Sequence, residues 1–448
     1  MPSKRISLLW ALLIIFGLTL AACGGAATPT AAPAQPTATP ATTSAAQPTE
    51  APAQPKVEPT TITVWDYYGE SSPITPIVDA FEAAHPDIKV QVESLDWDST
   101  LEKLNVVMTG GTPPDIVTLD MTWLPTFAPL GAFADLNQFA HGQLNGVPLE
   151  KAFSPGALKA MQYNDQVLAM LYDFDVYALY YRADIFEELG LDVPTTWDEL
   201  TAVGKKLGDA GKGQYAVMPD TFHAAQFIYE NGGSILNADN TAATFNQPAG
   251  VEAVSYYANL PKEGAGYVWS FEEGWEITPG LKDGRIAMFS DGPYYMGILK
   301  DAVPEMSGQW KVAVHPISKQ PGSYLGGTGL VIPAKSEHPE AAWQFIEFAL
   351  TKENQIGVFE NAGAAPALLE ALQSDAVNAP DPYFGGQRTL EVFLKAMDTA
   401  QPFPYVRAWN QIDETFTAAM EEILFGDADV KEALDNAAAT IDDVLSSQ

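Results

Sequence analysis

The clearest pattern of hydrophobic and polar positions lies between Gly110 and Leu136. Two glycines and two prolines break any helix there, and Ile116, Val117 and Leu119 follow as a nearly continuous apolar run. A short run of this kind favours a strand buried on both faces, as in a parallel sheet. Asp120 ends the strand and Trp123 follows, at the edge where α/β sheets bind ligands. Alternatively, Asp120 caps the next helix and Trp123 belongs to the core.

The preceding residues predict alternating strands and helices. The predicted elements are strand 60–65, helix 74–85, strand 88–92, helix 101–108 and strand 116–119. This β-α-β-α-β order is typical of a parallel, doubly wound sheet. The aromatic segment that follows the first strand and the Asp120 segment should therefore lie at one edge of that sheet.

A second α/β set follows a long apolar and aromatic stretch, Gln166–Arg182, which Asp173 and Asp175 interrupt. Thr196 and Glu199 predict a capping box at a helix start. The further predicted elements are helix 183–190, strand 215–218, helix 224–231, helix 250–260, strand 285–289, strand 311–315, a glycine loop at 325–333 that feeds a strand, and helix 339–350.

The amino terminus forms a separate unit. Lys4 and Arg5 precede an apolar run of 15 residues, 8–22, which is shorter than the ~20 residues that a membrane-spanning helix needs. Residues 1–22 are therefore predicted to be an export signal. The sequence Leu-Ala-Ala-Cys ending at Cys23 resembles the lipobox of bacterial lipoproteins, which implies cleavage before Cys23 and lipid attachment to its thiol. The alternative is a free cysteine in an uncleaved anchor.

Composition separates a tether from the folded part. Residues 24–59 consist mainly of Ala, Pro, Thr and Gln, too few of them large and apolar to form a core. The whole chain has 448 residues, of which 47 % are hydrophobic, so two or three globular lobes are expected beyond this tether. The formal net charge of −34 disfavours nucleic acid and anionic lipid surfaces as partners.

Several segments resemble the family 1 extracellular solute-binding proteins, the maltose-binding-like receptors of bacterial ABC importers. The likeness extends over about residues 60–445. The segments that carry it are FEAAHPDIKV, GGTPPDIVTLDMTWLPTFAPLGAFADL, ALYYRADIFEELGLDVPTTWDEL, GRIAMFSDGPY and GGTGLVIPAKSEHPEAAWQFIEF, followed by the closing helices. One departure is Leu-Ala-Met-Leu at 168–171, where the family often has Gly-Leu-Pro.

The resemblance implies an α/β, two-lobed periplasmic-binding-protein fold of type II, with discontinuous lobes, hinge strands and a ligand cleft. The first lobe would comprise 60–171 and 325–368, and the second 172–324 and 369–448. The protein would be a monomer, lipid-anchored to the outer face of the cell membrane. It would close around its ligand by a hinge motion and present it to a membrane permease.

A sugar site needs flat aromatic surfaces with polar groups at their rim, because sugars combine apolar faces with hydroxyl edges. Strand ends, the chain crossover and the late segment supply such residues. The candidates are Trp65, Tyr67, Tyr68, Asp120, Trp123, Tyr172, Asp173, Trp275, Tyr294, Tyr295, Gly327, Thr328, Arg407 and Trp409, with Asp175 and Trp269 as weaker ones. For each aromatic candidate the alternative is a place in the core.

The leading hypothesis is a carbohydrate receptor without enzymatic activity. The sequence contains no G-x-S-x-G, H-E-x-x-H, phosphate-binding loop or C-x-x-C, and no cofactor or metal is expected. His141 and His223 show no ligand-like partner nearby in the sequence. A receptor for a polyol, polyamine or peptide remains open, as does a cell-tethered glycoside hydrolase, which would need a pair of carboxylates. Few basic residues near the candidate loops argue against strongly anionic ligands.

Overall fold

The computed structural model describes residues 59–69, 72–270 and 277–447. The predicted export signal, Cys23 and the tether lie outside these residues, and so does Trp275. Within the described ranges we find no helix whose length and apolar character suit a bilayer crossing.

The strands of the described residues include several two-residue pairings. In chain order they are β1 (Thr60–Asp66), β2 (Ile88–Ser94), β3 (Ile116–Asp120), β4 (Gln143–Leu144), β5 (Val147–Pro148), β6 (Gln162–Tyr163), β7 (Gln166–Val167), β8 (Met170–Leu171), β9 (Asp173–Val176), β10 (Ala178–Arg182), β11 (Gln214–Val217), β12 (Gly266–Val268), β13 (Ile286–Asp291), β14 (Trp310–Ala313), β15 (Ser323–Gly326), β16 (Thr328–Val331), β17 (Ala365–Pro366) and β18 (Ala400–Pro402).

The helices range from single turns to 17 residues. They are α1 (Thr75–Ala84), α2 (Trp97–Gly110), α3 (Leu124–Phe127), α4 (Asn137–Ala140), α5 (Leu149–Ala152), α6 (Pro155–Ala160), α7 (Ala183–Leu189), α8 (Trp197–Asp209), α9 (Thr221–Glu230), α10 (Pro248–Lys262), α11 (Thr278–Lys282), α12 (Tyr295–Ala302), α13 (Pro339–Ala349), α14 (Lys352–Ala362), α15 (Leu369–Leu372), α16 (Thr389–Met397), α17 (Trp409–Phe425) and α18 (Val430–Ser446).

The first sheet has the strand order β2-β1-β3-β16-β8. Strand β1 pairs in parallel with both β2 and β3, with Val64 opposite Ile116. The carboxyl ends of β1 and β3 therefore lie at one edge, as predicted. The sheet is not parallel throughout, because β16 runs antiparallel to β3 and to β8. Only the β-α-β-α-β part has the predicted parallel order.

The second sheet has the order β12-β11-β13-β10-β14 and is covered on both faces. Alternate residues of β10 enter different cores: Leu179 and Tyr181 contact one, and Ala178 and Tyr180 the other. Helix α8 begins with the predicted capping box, in which Thr196 and Glu199 satisfy each other's backbone N–H groups. A separate core covers the first sheet and contains residues from 62–172 and 330–371.

A third sheet, with the order β17-β9-β15-β18, connects the other two. Strand β9 lies in the chain between β8 of the first sheet and β10 of the second, and β15 is followed by β16 of the first. We call it the connecting sheet. The domain boundaries given by the resemblance stay a prediction.

The strand predicted within 325–333 is confirmed as β16, but the glycine loop expected before it is wrong, since only Gly327 separates β15 from β16. The glycines are there because neighbouring atoms leave no space for side chains. A Cβ on Gly327 would lie 2.3 Å from the Asp173 carbonyl oxygen, and one on Gly326 would lie 1.6 Å from the Tyr324 hydroxyl. Gly327 also has a φ of 153°, which favours glycine.

Candidate ligand-binding site

A cavity of about 260 Å³ lies where the three sheets meet. Residues at the carboxyl ends of β1, β3 and β13 border it, together with residues of the connecting sheet and of helices α9 and α17. Its lining consists of Tyr67, Tyr68, Trp97, Asp120, Asp175, Tyr177, Ala216, Met218, Asp220, Phe222, His223, Ile277, Phe289, Ser290, Asp291, Tyr294, Tyr295, Tyr324, Asp413 and Thr417.

Two stacked tyrosines form part of the lining. The rings of Tyr67 and Tyr68 lie 4.7 Å apart at 23°. Both hydroxyls contact the Thr328 Oγ1, at 2.6 Å and 2.5 Å, and the Tyr68 hydroxyl also donates to Asp173 Oδ2 at 2.5 Å. The Thr328 N–H donates to Asp173 Oδ1 at 3.0 Å. Asp173 and Thr328 thus lie behind the tyrosines and hold their hydroxyls in place.

Asp120 borders the same part of the cavity and is held by its own turn. Its Oδ1 accepts from the Thr122 N–H at 2.8 Å and from the Thr122 hydroxyl at 2.6 Å. The Trp97 Nε1 donates to Oδ2 at 3.4 Å. Burial raises the pKa of the Asp120 carboxyl, and the hydrogen bonds from Thr122 oppose that shift. The alternative that Asp120 caps the next helix is wrong, because the cap residue of α3 is Trp123 and no side chain caps it. Asp120 instead closes its own turn and borders the cavity.

His223 supplies the positive charge of the site. Its Nδ1 lies 2.8 Å from Asp220 Oδ2, and its Nε2 lies 3.0 Å from the Ser290 carbonyl oxygen. Since a carboxylate and a carbonyl both accept, both ring nitrogens donate and the imidazole is an imidazolium. Burial acts to lower the pKa of His223, but the charge and hydrogen bond of Asp220 outweigh it and raise the pKa.

Asp291 ends β13 and is also supplied with donors. Its Oδ1 accepts from the Gly292 N–H at 2.8 Å and from the Tyr294 hydroxyl at 2.5 Å. Burial raises its pKa to about 6, although the charge of His223 opposes the shift. The Tyr180 hydroxyl donates to the Gly292 carbonyl at 2.7 Å and thereby fixes the turn that presents Asp291 and Tyr294.

Two further carboxylates have fewer partners, although the Thr221 side chain acts to lower the pKa of the Asp413 carboxyl. The Oδ1 of Asp413 is inaccessible to solvent and has no hydrogen-bond partner in the described part of the chain. Among the same residues, no hydrogen bond reaches the carboxylate of Asp175 either, although its backbone pairs with Gly326. Burial raises the pKa of Asp413 to about 7, and burial with the charges of Asp173 and Asp291 raises that of Asp175 well above its ordinary value.

The structure brings some of the predicted residues to the cavity and leaves others away from it. Those that line it are Tyr67, Tyr68, Asp120, Tyr294, Tyr295 and the weaker candidate Asp175. Asp173, Gly327 and Thr328 lie directly behind the lining, and the Thr328 N–H donates to Asp173 and so is not directed at a ligand.

The remaining candidates have other surroundings. Trp65 is 8 % exposed and lies under the Lys103 ammonium, 4.7 Å from its ring centre. Trp123, Tyr172, Trp269 and Trp409 are at most 1 % exposed and belong to the cores. Arg407 does not line the cavity, and its carbonyl accepts from the Thr126 hydroxyl at 3.0 Å. Trp275 lies outside the described residues.

Sequence reasoning missed several lining residues. Asp220 follows β11 as Asp120 ends β3, so the strand-end rule could have found it, and with it His223 three residues later. His223 therefore has a carboxylate partner, while among the described residues no group of three or more His, Cys, Asp or Glu side chains could hold a metal ion. Trp97, Tyr177, Tyr324 and Asp413 carry no comparable local signal.

Comparisons with known proteins agree with this architecture. The family model for bacterial extracellular solute-binding proteins matches residues 76–383. The galactooligosaccharide-binding protein of Bacillus subtilis is 22 % identical, with 85 % of this chain and 88 % of that protein covered. A binding protein of Brucella abortus is 25 % identical over 86 % of this chain and 92 % of its own.

The fold matches solved structures. A solute-binding protein of an ABC transporter from Thermotoga lettingae, bound to α-D-tagatose, superimposes with a TM-score of 0.77 at 24 % identity, and covers 86 % of this chain and all of that one. The two-lobed periplasmic-binding-protein fold is therefore confirmed, with the cavity between the lobes. The protein belongs to the bacterial extracellular solute-binding proteins, which act outside the cytoplasm.

Proposed function

We propose that this protein is the carbohydrate receptor of an ABC importer. The observation that carries the proposal is the cavity between the lobes, where tyrosine and tryptophan rings alternate with carboxylates. Aromatic faces suit the apolar faces of a sugar ring, and carboxylates accept from its hydroxyls. A volume of about 260 Å³ suits a mono- or disaccharide. Relatives named for galactooligosaccharide and lactose binding support this ligand class.

The receptor closes around its ligand by a hinge motion at the connecting sheet. The proposed lobes are 60–171 with 325–368 and 172–324 with 369–448, and the separate core of residues 62–172 and 330–371 supports this division. Two hydrogen bonds to backbone carbonyls that involve the 405–407 segment cross between the proposed lobes away from the connecting sheet. Thr126 donates to the Arg407 carbonyl, and the Tyr405 hydroxyl donates to the Ala160 carbonyl at 3.1 Å. Opening the cavity requires both to break.

The closed receptor delivers its solute to a membrane permease while Cys23 carries the lipid anchor. The lipobox-like sequence and the Pro-rich tether support this arrangement. Expression of the Cys23→Ser variant in a bacterial host tests the anchor. The parent should partition with membranes and the variant should be released; equal partitioning would contradict lipid attachment at Cys23.

A thermal-shift panel of mono- and oligosaccharides on the full-length protein tests the function. A ligand at 100 times its Kd adds ~2.7 kcal/mol to the free energy of unfolding. Tyr294→Ala should abolish the shift because it removes a cavity ring, whereas the matched control Tyr163→Ala, outside the cavity, should retain it. The absence of any shift across the panel would contradict the carbohydrate proposal.

The proposal also states that the receptor does not hydrolyse its ligand. Prolonged incubation with the oligosaccharide that gives the largest shift should return it intact. Release of new reducing ends, lost in an Asp120→Asn or Asp291→Asn variant, would instead identify a glycoside hydrolase.

A further inference from the structure

The charge of the cavity is strongly unbalanced. Five carboxylates line it, on Asp120, Asp175, Asp220, Asp291 and Asp413, and the imidazolium of His223 is the one cationic group among the described lining residues. The undescribed segment 271–276 also contains no lysine or arginine in its sequence. Burial raises the pKa of four of these carboxyls, on Asp120, Asp175, Asp291 and Asp413, so protons neutralise part of this charge in the unliganded protein. A cationic ligand group would favour the ionised carboxylates, whereas a neutral sugar would not.

Among the described lining residues, Asp175 and Asp413 are the two carboxylates with the fewest hydrogen-bond donors. Asp220 is paired with His223, while Asp120 and Asp291 accept hydrogen bonds from their own turns. Asp175 has no such donor in the described part of the chain, and neither does the buried Oδ1 of Asp413. Both residues are half-buried, and a carboxylate that is partly removed from water without a partner is unfavourable. A ligand group that supplies both a charge and hydrogen-bond donors therefore gains most at these positions.

The rings of the cavity suit the same kind of group. Tyr177, Tyr324 and Phe222 line it beside the carboxylates, and their faces attract a cation that has been removed from water. Asp175 lies at the base of the cavity in the connecting sheet, where the negative charges of Asp173 and Asp291 also act on it. An ammonium group placed there would meet several carboxylates at once.

We propose that the solute is an amino-substituted mono- or disaccharide, whose protonated amine donates to Asp175 while its hydroxyl groups reach Asp413 and the first-lobe tyrosines. This inference rests on the proposed carbohydrate function and narrows its ligand class. A neutral hydroxyl in the place of the amine can donate a hydrogen bond but brings no charge, so amine and hydroxyl analogues should be distinguished strongly.

Isothermal titration calorimetry on the full-length protein at pH 7 tests the proposal with ligands matched in shape. The probes are glucosamine, galactosamine, mannosamine and the glucosamine disaccharide chitobiose, each beside its N-acetylated form and its hydroxyl counterpart, with spermidine as a further amine. At least one amine should bind about tenfold more tightly than both of its neutral partners. Neutral members that bind equally or more tightly would overturn the amine inference and leave the carbohydrate function intact.

The other outcomes separate the two proposals. Spermidine binding without any saccharide binding would overturn the carbohydrate function and the amino-sugar inference together, in favour of a polyamine receptor. No binding by any probe would overturn the amino-sugar inference, and the wider saccharide panel of the thermal-shift experiment then decides the carbohydrate function separately.

Variants then locate the amine. Asp175→Asn keeps the shape and removes the charge, so the affinity for the amine should fall about tenfold, while that for its hydroxyl counterpart changes less than about threefold. Asp184→Asn is the control, since Asp184 pairs with Arg182 outside the cavity, and it should change neither affinity. Equal losses for both ligands in Asp175→Asn would show a structural role and overturn the assignment.

Discussion

The two walls of the cavity differ in how their aspartate side chains are hydrogen-bonded. On the first-lobe wall, Asp120 accepts two hydrogen bonds from Thr122, and Asp173 behind it accepts from Tyr68 and Thr328. On the opposite wall, the buried Oδ1 of Asp413 has no partner among the described residues. The carboxylates of the first wall are therefore satisfied by the chain itself, whereas the second wall, in which Asp220 and Asp291 are likewise paired, retains an acceptor at Asp413. Whether a buried carboxylate is structural or functional depends on the donors within its reach.

The largest expected effect is the loss of stability when Trp123, a core residue behind the first wall, is replaced. Trp123 is fully buried, with ring centres 4.7 Å from Trp97 and 5.8 Å from Tyr67. Trp123→Ala should lower the free energy of unfolding by about 3–5 kcal/mol, measured by denaturant titration, because it leaves a large cavity. Unchanged stability with lost ligand binding would instead make Trp123 a ligand contact.

The comparison predicts stability changes of opposite sign for two Asp→Asn variants of the unliganded protein. Since the pKa of Asp413 is raised to about 7 in the folded state, its stabilising contribution is complete below its ordinary pKa and is lost as the pH rises through about 7. At pH 8, Asp413→Asn should therefore raise Tm by roughly 2–4 °C. Asp120→Asn should lower Tm, because the amide nitrogen in place of Oδ2 cannot accept from the Trp97 Nε1, and Oδ1 then accepts the two Thr122 donors without a negative charge. A lower Tm for both variants would remove the distinction between the walls.

Acidification should weaken the binding of an amine. The titratable and charged groups around the ligand position are Asp120, Asp173, Asp175, Asp220, Asp291, Asp413 and His223. Burial raises the pKa of Asp173 and of Asp291 to about 6, so these carboxyls become neutral as the pH falls from 7 to 5. The affinity for an amino sugar should fall about tenfold over this range in calorimetry, with a much smaller change for its neutral counterpart. An equal fall in affinity for the amino sugar and for its neutral counterpart would instead indicate unfolding or the loss of the His223 contacts.

The smallest expected effect concerns the contacts that hold the walls together. Tyr405→Phe removes the hydroxyl that donates to the Ala160 carbonyl across the lobes. A single hydrogen bond contributes about 0.5–1.5 kcal/mol, so ligand affinity should fall roughly two- to tenfold. Tyr163→Phe serves as the control. Unchanged affinity would show that closure does not depend on this contact.

The fold was largely predictable because its information is local. The periodicities of β1, α1, β2, α2 and β3 and the capping box at Thr196 are written in consecutive residues. The position of Asp120 followed from the same logic, since the ends of parallel strands share an edge. The glycines at 326 and 327 led to the incorrect prediction of a loop, because glycine is typical both of loops and of strands whose neighbours approach closely.

The lining residues of the opposite wall were harder to predict from the sequence, because tertiary packing determines which of them face the cavity. In α17 the sequence drew attention to Trp409, which is buried against Phe403, while Asp413 and Thr417, one and two turns later, border the cavity. Which turn of a helix meets a cavity depends on how the helix packs against the other lobe, for instance through Thr126 and the Arg407 carbonyl. No local pattern encodes this.

Because Gly326 has no side chain, it limits how the lining of the cavity can change among related proteins. A Cβ of residue 326 would lie 1.6 Å from the Tyr324 hydroxyl, so any larger residue there would require this phenol ring to move from its present place in the cavity lining. The residue at position 326 in the sequence of a related receptor should therefore indicate whether the ring at position 324 can lie in the same place.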